Sequence, residues 1–231
     1  MQPRSLIADP KHGPLPVLLL GLTVVTGIVD SVSILALGRV FVANMTGNVV
    51  FIGFALAGAA GFSLIASVLG LGGFLVGAAV GGRAVVRFGG DRGRLLAVAS
   101  TVEFVLFGIA IVLVGPPGGV SRDVAVAVLA IATGMQNAVA RRLAVPDLTT
   151  TVLTMTLTGI AADVGRGANS TTLLRRLLAV AAMLGGAVIG TLLVLHRSPA
   201  TALALGTALL AAIAVASWLA VRQPNEWRQG H

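Results

Sequence analysis

Thr26-Gly27-Ile28-Val29-Asp30 lies inside an apolar run of membrane length, and Thr133-Gly134-Met135-Gln136-Asn137 repeats its frame 107 positions later. A charged side chain at the centre of a membrane helix costs roughly 2.5–3.5 kcal/mol on insertion scales, so an intramembrane acid reads first as a functional residue. The first copy holds an acid and the second an amide at the matching place. A duplicated frame around both predicts a membrane protein built from two related halves, the form that transporter repeats take.

Composition agrees with a membrane chain. Hydrophobic residues make up 56% of the 231 and charged residues 10%, where a soluble domain carries about 25% charged. Mean hydropathy is +0.98. Apolar runs near 15–37, 41–62, 63–82, 95–115, 124–140, 177–195 and 200–221 approach or exceed the length that crosses a hydrocarbon core of about 30 Å. The whole chain, 1–231, therefore reads as one all-α membrane domain with the lipid bilayer as its main partner. The net charge of +8 lies in short segments between the runs, where it orients loops rather than binding nucleic acid. Cysteine is absent, which excludes disulfides, thiol nucleophiles and Cys metal sites. The polar stretch 1–14 is followed by no clear cleavage pattern, so the first apolar run is expected to stay as a helix.

The duplication extends beyond the first frame, giving repeats of about 15–115 and 121–221. Thr46 aligns with Thr154, Gly77 with Gly185 and Gly82 with Gly190 at a shift of 108. The Arg-rich segment 83–94, read as a loop, falls near 196–199. Topology turns on whether 41–62 and 148–164 cross the membrane. If both cross, there are eight spans in parallel halves and the sixteen Lys and Arg divide evenly between the two sides. If both dip in and return, six full spans remain in two inverted three-span repeats, each with a re-entrant or broken helix. Thirteen basic residues then lie inside, and only Arg39, Arg122 and Arg197 lie outside. The positive-inside rule selects the second arrangement. It makes the chain an all-α polytopic transmembrane helical bundle with both termini cytoplasmic.

The candidate substrate or ion site comprises Asp30, Asn44, Thr46, Asn48, Gln136, Asn137, Thr150 and Thr154. Asp30 reads as a proton or cation site, against the alternative of pairing with an Arg or capping a helix end. Asn44 is placed to cap a helix start, whose dipole favours an anionic group nearby. Gln136 and Asn137 serve equally as interhelical glue or as substrate contacts. Thr150 and Thr154 share a face if both are helical, and Pro146-Asp147 before Leu148 looks like that helix's start. Glu103 reads as a second titrating group or as a snorkelling interfacial residue. Asp163 with Arg166 reads as a satisfied pair, and Gly73, Gly77 and Gly81 as a packing seam.

Four segments carry a resemblance. They are Gly27-Ile28-Val29-Asp30-Ser31, Gly38-Arg39-Val40-Phe41-Val42-Ala43-Asn44-Met45-Thr46-Gly47-Asn48, Gly134-Met135-Gln136-Asn137-Ala138 and Thr149-Thr150-Thr151-Val152-Leu153-Thr154. Together they resemble the YoaK-like family of bacterial membrane proteins, over residues 15–221. The resemblance implies an integral protein of the bacterial inner membrane and no particular function, since the family's function is unknown. This chain has Thr154-Met155 where such proteins have Thr-Gly, which breaks a strict symmetry of two Thr-Gly elements.

The leading functional expectation is a secondary transporter that exports an unidentified small molecule, proton-coupled through Asp30, with one half rocking against the other. The alternatives are a passive channel for an ion or small molecule and a non-transporting assembly or sensor subunit. A homo-oligomer is left open. An enzyme is not expected: His12, His196 and His231 all lie in loops or tails, and the spans hold no nucleophile–base pair, paired carboxylates or metal-ligand spacing. No cofactor or metal is expected, and no nucleotide-binding loop is present.

Overall fold

A computed structural model describes residues 11–114, 119–146, 148, 150–151, 153–163, 170–222 and 226–229. These residues form eight α-helices and a short 3₁₀ turn, with no strand among them. The helices are α1 Leu15–Ala36, α2 Met45–Leu56, α3 Leu64–Phe88, α4 Arg92–Val114, α5 Gly119–Leu143, α6 Leu153–Asp163, α7 Ser170–His196 and α8 Pro199–Val221. Six of them are long and apolar enough to cross a membrane. α2, at 12 residues, reaches only about 18 Å at 1.5 Å per residue, and α6 is shorter. The segment 83–94 is not a loop. α3 runs on past Arg83 and Arg87, and α4 begins at Arg92, leaving Gly89–Asp91 as the turn. Arginines at helix ends keep their heads in the interface while the helix continues, so they do not mark its boundary.

The directions of the spans follow from which residues touch. Val24 backs onto Gly186 and Ile28 onto Gly190, so α1 and α7 run parallel. Gly73, Gly77 and Gly81 back onto Ala127, Ile131 and Met135, so α3 and α5 also run parallel. Gly21 meets Ile213 while Ile28 meets Gly206, which makes α8 antiparallel to α1. Phe107 meets Gly206 and the Trp218 indole N–H donates to Thr101 Oγ1 at 3.2 Å, which makes α4 antiparallel to α8. With the tight turn between α3 and α4, α1, α4 and α7 run one way and α3, α5 and α8 the other. The segment between α1 and α3 therefore leaves and returns on one face, and the segment between α5 and α7 does so on the opposite face. Six full spans in inverted order result.

α1 and α5 are the inner helices. Burial is 72% along α1 and 61% along α5, against 17–33% for the other four spans. The outward faces carry Leu75, Val86, Val112, Leu184 and Val215, all exposed apolar side chains that belong in lipid. The seam glycines work through close approach, because a Cβ on Gly81 would stand 2.9 Å from the Met135 carbonyl oxygen. On α7 the glycines in contact are Gly186 and Gly190, whereas Gly185 and Gly82 face open space. The pairing of Gly77 with Gly185 and of Gly82 with Gly190 is thus one residue out of register. Gly77 corresponds in its contacts to Gly186, and Gly81 to Gly190, at a shift of 109.

The described residues around Gly13 and around Trp227 gather on the face where α3 meets α4. The Trp227 ring covers Gly13 and Gly93, Arg228 pairs with Asp91, and Arg92 donates to the Leu143 carbonyl at the end of α5.

Candidate functional site

Asp30 stands six residues before the end of α1, about 9 Å below that end at 1.5 Å per residue. Its Oδ1 accepts the Ala43 backbone N–H at 3.2 Å. The chain after α1 turns at Gly38-Arg39, dips to the level of Asp30, and climbs out as α2. The dip is held from the other half as well, because Thr133 on α5 donates its hydroxyl to the Val42 carbonyl. Val42 and Ala43 are buried, and these two bonds satisfy backbone groups that water cannot reach there. Asp30 is 7% exposed and makes no ion pair among the described residues. It holds the connector and does not neutralise an arginine.

The rest of the dip is fixed by Asn48. Its Oδ1 accepts the Phe41 N–H at 2.9 Å and its Nδ2 donates to the Phe41 carbonyl at 2.6 Å. One fully buried amide thus replaces a strand partner. Gly70 makes room for it, since a Cβ there would lie 2.9 Å from Asn48 Nδ2. Outside this ring, Phe41 stacks on Phe51 at 5.6 Å, and Phe51 and Phe54 close on Phe62 at 5.0 and 5.1 Å.

At the second connector the contact is made by neutral side chains. Asn137 Oδ1 accepts the Thr151 hydroxyl at 2.6 Å, so this amide holds its own connector as Asp30 holds the first. Gln136 Nε2 donates to Thr26 Oγ1 at 3.0 Å, joining the two inner helices. Gln136 Oε1 is buried without a partner, as is Thr150 Oγ1.

Five of the eight expected residues, Asp30, Asn48, Gln136, Asn137 and Thr150, are buried or half-buried around the two connectors. The other three are not in this cluster. Asn44, Thr46 and Thr154 are exposed. Asn44 occupies the N-cap position of α2 but makes no side-chain cap bond. Thr150 and Thr154 do not share a helical face. α6 begins only at Leu153, and Thr150 lies before it with φ 61°, a conformation that a β-branched residue rarely adopts. Asp147, Thr149 and Arg166 lie outside the described residues, as does the side chain of Asp163. Glu103 is not a snorkelling residue: it is 1% exposed, with Oε1 unpartnered.

Thr26 and Thr133 belong to the site and were absent from the expected set. The signal for them was present, since each heads the repeated frame, one turn before Asp30 and Asn137.

The family model described as "Protein of unknown function (DUF1275)" matches residues 18–216. The UPF0700 transmembrane protein YoaK of Bacillus subtilis (strain 168) is 32% identical over 148 residues, which cover 62% of this chain and 64% of that protein. The chain thus spans a little under two thirds of the curated relative it matches. No solved structure matches.

Proposed function

This chain belongs to the YoaK-like DUF1275 family of multi-pass membrane proteins, a membership that brings no function with it, and we propose that it is a secondary transporter of a small molecule, coupled to proton movement at Asp30. The observation that carries this reading is the dip at Val42–Ala43, held between Asp30 of one half and Thr133 of the other. Non-helical backbone at membrane depth is tolerated where protein or a water-filled cavity surrounds it, and in transporters such breaks bear the site. The inverted order of the spans and the matching pairs α1–α7 and α3–α5 support an internal duplication at about 15–115 and 121–221.

The moving bodies are not the sequence halves. Each parallel pair takes one helix from each half, so rocking the halves apart would tear both seams. The seams favour two other bodies, one built on α1 with α7 and one built on α3 with α5, which meet at the Thr26–Gln136 bond. A proton on Asp30 replaces the anionic acceptor of the Ala43 N–H by a neutral one, which weakens that hydrogen bond without abolishing it. Solute movement past the connector is then linked to proton binding.

The test uses the purified chain in liposomes that enclose a pH-sensitive dye. A panel of small cationic, neutral and anionic solutes is applied under a pH gradient. The expected result is saturable proton movement elicited by one solute class and lost in Asp30→Asn, with helicity and unfolding midpoint retained. Solute-driven proton movement at the wild-type rate in Asp30→Asn refutes coupling at this residue.

The excess of basic residues on the face that carries Lys11 and Arg228 supports a cytoplasmic position for it. With Gly90→Cys and Arg197→Cys in this cysteine-free chain, an impermeant maleimide applied to intact cells should label 197 and spare 90. The reverse pattern would invert the orientation.

A further inference from the structure

On the face where α1 ends and α3 and α5 begin, a cleft of about 490 Å³ is lined by Arg39 and Arg122 together with Ser63, Gly61, Phe62 and Leu35. We propose that this cleft binds a phosphate-class anion between the two guanidinium groups, and that the proposed transport path does not depend on it.

The arginines are in places that disfavour them. Arg39 points its guanidinium over the turn that opens α3, where a Cβ on Gly61 would stand 2.9 Å from Nη1. Arg122 lies in the first turn of α5. The N-terminal end of a helix carries a partial positive charge, so a cation there is unfavourable and an anion favourable. Neither α3 nor α5 has an acidic residue in its first turn, and no carboxylate lines the cleft. Neither arginine forms an ion pair among the described residues. Arg39 also holds a left-handed backbone, φ 56°, which for a non-glycine residue costs of order 1–3 kcal/mol and persists only where surroundings enforce it.

Charge distribution sharpens the point. Among the described residues, the basic side chains on this face are Arg39, Arg122 and Arg197, and two of the three converge on one cleft. Two helix N-termini and two guanidinium groups, with no carboxylate in the cleft lining and Asp123 beside Arg122 outside it, form a site for bidentate phosphate recognition. The apolar wall of Leu35 and Phe62 beside the charges fits the phosphodiester of an anionic lipid headgroup. A free phosphate shares the charged part of that chemistry and lacks the apolar part.

The test is thermal unfolding of the purified full chain in a neutral detergent. Three additions are compared: phosphatidylglycerol, phosphatidylcholine, and inorganic phosphate against chloride at equal ionic strength. A ligand that binds only the folded state raises the midpoint. The expected result is a rise with phosphatidylglycerol over phosphatidylcholine, lost in Arg39→Gln and in Arg122→Gln and kept in Arg197→Gln. A matching rise with inorganic phosphate, lost in the same variants, assigns the site to a soluble anion and still supports it. Arg39→Lys keeps the charge and controls for misfolding at that position. No rise with either anion overturns the proposal, as does a rise that survives the double change of Arg39 and Arg122 to Gln.

Discussion

The helix seams make a prediction that separates two registers one residue apart. A Cβ on Gly81 would meet the Met135 carbonyl oxygen at 2.9 Å and Ala138 Cβ at 2.8 Å, where ordinary contact begins at 3.4 Å, so α3 and α5 must part by about 0.5 Å. A Cβ on the adjacent Gly82 meets nothing within 4 Å. On α7 the order repeats, with Gly186 pressed on the Val24 carbonyl and Gly185 open. Replacing glycine by alanine inside a helix contributes about 1 kcal/mol of stability at any of these sites. That gain cancels within each adjacent pair. The remaining difference is the cost of forcing the seam, about 1–3 kcal/mol by analogy with overpacked cores. Unfolding free energies from SDS titration should therefore place Gly81→Ala below Gly82→Ala, and Gly186→Ala below Gly185→Ala, by that amount. Equal stabilities within the pairs, or a larger loss at Gly185 than at Gly186, would refute the close parallel packing and the shift of 109 together.

Two further outcomes are expected. Asn48→Ala leaves the Phe41 N–H and carbonyl unpaired, and at about 1–3 kcal/mol per buried orphan group it should cost more than any single seam alanine in the same titration; a loss below 1 kcal/mol would show that the amide ring does not hold the dip. At the cytoplasmic face, burial acts to raise the Asp91 carboxyl, but the hydrogen bond from Arg228, the Arg94 and Gly93 amides and the Arg228 charge outweigh it and hold the carboxyl below its ordinary value. A depressed carboxylate contributes stability above its unfolded pKa, about 3.9, and loses it as pH falls through the lower folded value. In a Trp218→Phe background, Trp227 fluorescence should therefore report a docked C-terminal turn down to below pH 4 in the wild type and an undocked one at neutral pH in Arg228→Gln. Release of Trp227 well above pH 4 would contradict the sign of the shift.

The six spans and their inverted order were legible because two independent signals, apolar run length and the placement of arginine, converge on one topology. The register of α3 against α7 was not legible. In a stretch of Ala, Gly and Val, neighbouring glycines such as Gly185 and Gly186 align equally well, and only contact with Val24 distinguishes them. The exposed positions of Asn44, Thr46 and Thr154 were missed for a related reason. Polarity marks a break in a membrane helix, but it does not tell which polar residues turn inward and which end the turn. Asn48 turns inward because the dip leaves both backbone groups of Phe41 to be satisfied. That need follows from a three-dimensional path that no local pattern encodes.

The two halves also supply a comparison that bears on Asp30. In the second half an amide, Asn137, holds its connector by accepting the Thr151 hydroxyl. In the first half a carboxylate, Asp30, accepts the Ala43 N–H. An amide oxygen accepts an N–H as well as a carboxylate oxygen does in geometry, and it avoids the cost of a charge in the membrane interior. Holding the connector therefore does not require an acid. The carboxylate adds one property that the amide lacks, which is a proton that can leave and return. Asp30→Asn isolates that property, because the substituted residue can still accept from Ala43. If the variant folds with the wild-type midpoint and loses solute-driven proton movement, the acid serves chemistry and the amide geometry suffices for the fold. If it loses the fold instead, the connector needs the charge, and the comparison between the halves no longer supports a coupling role.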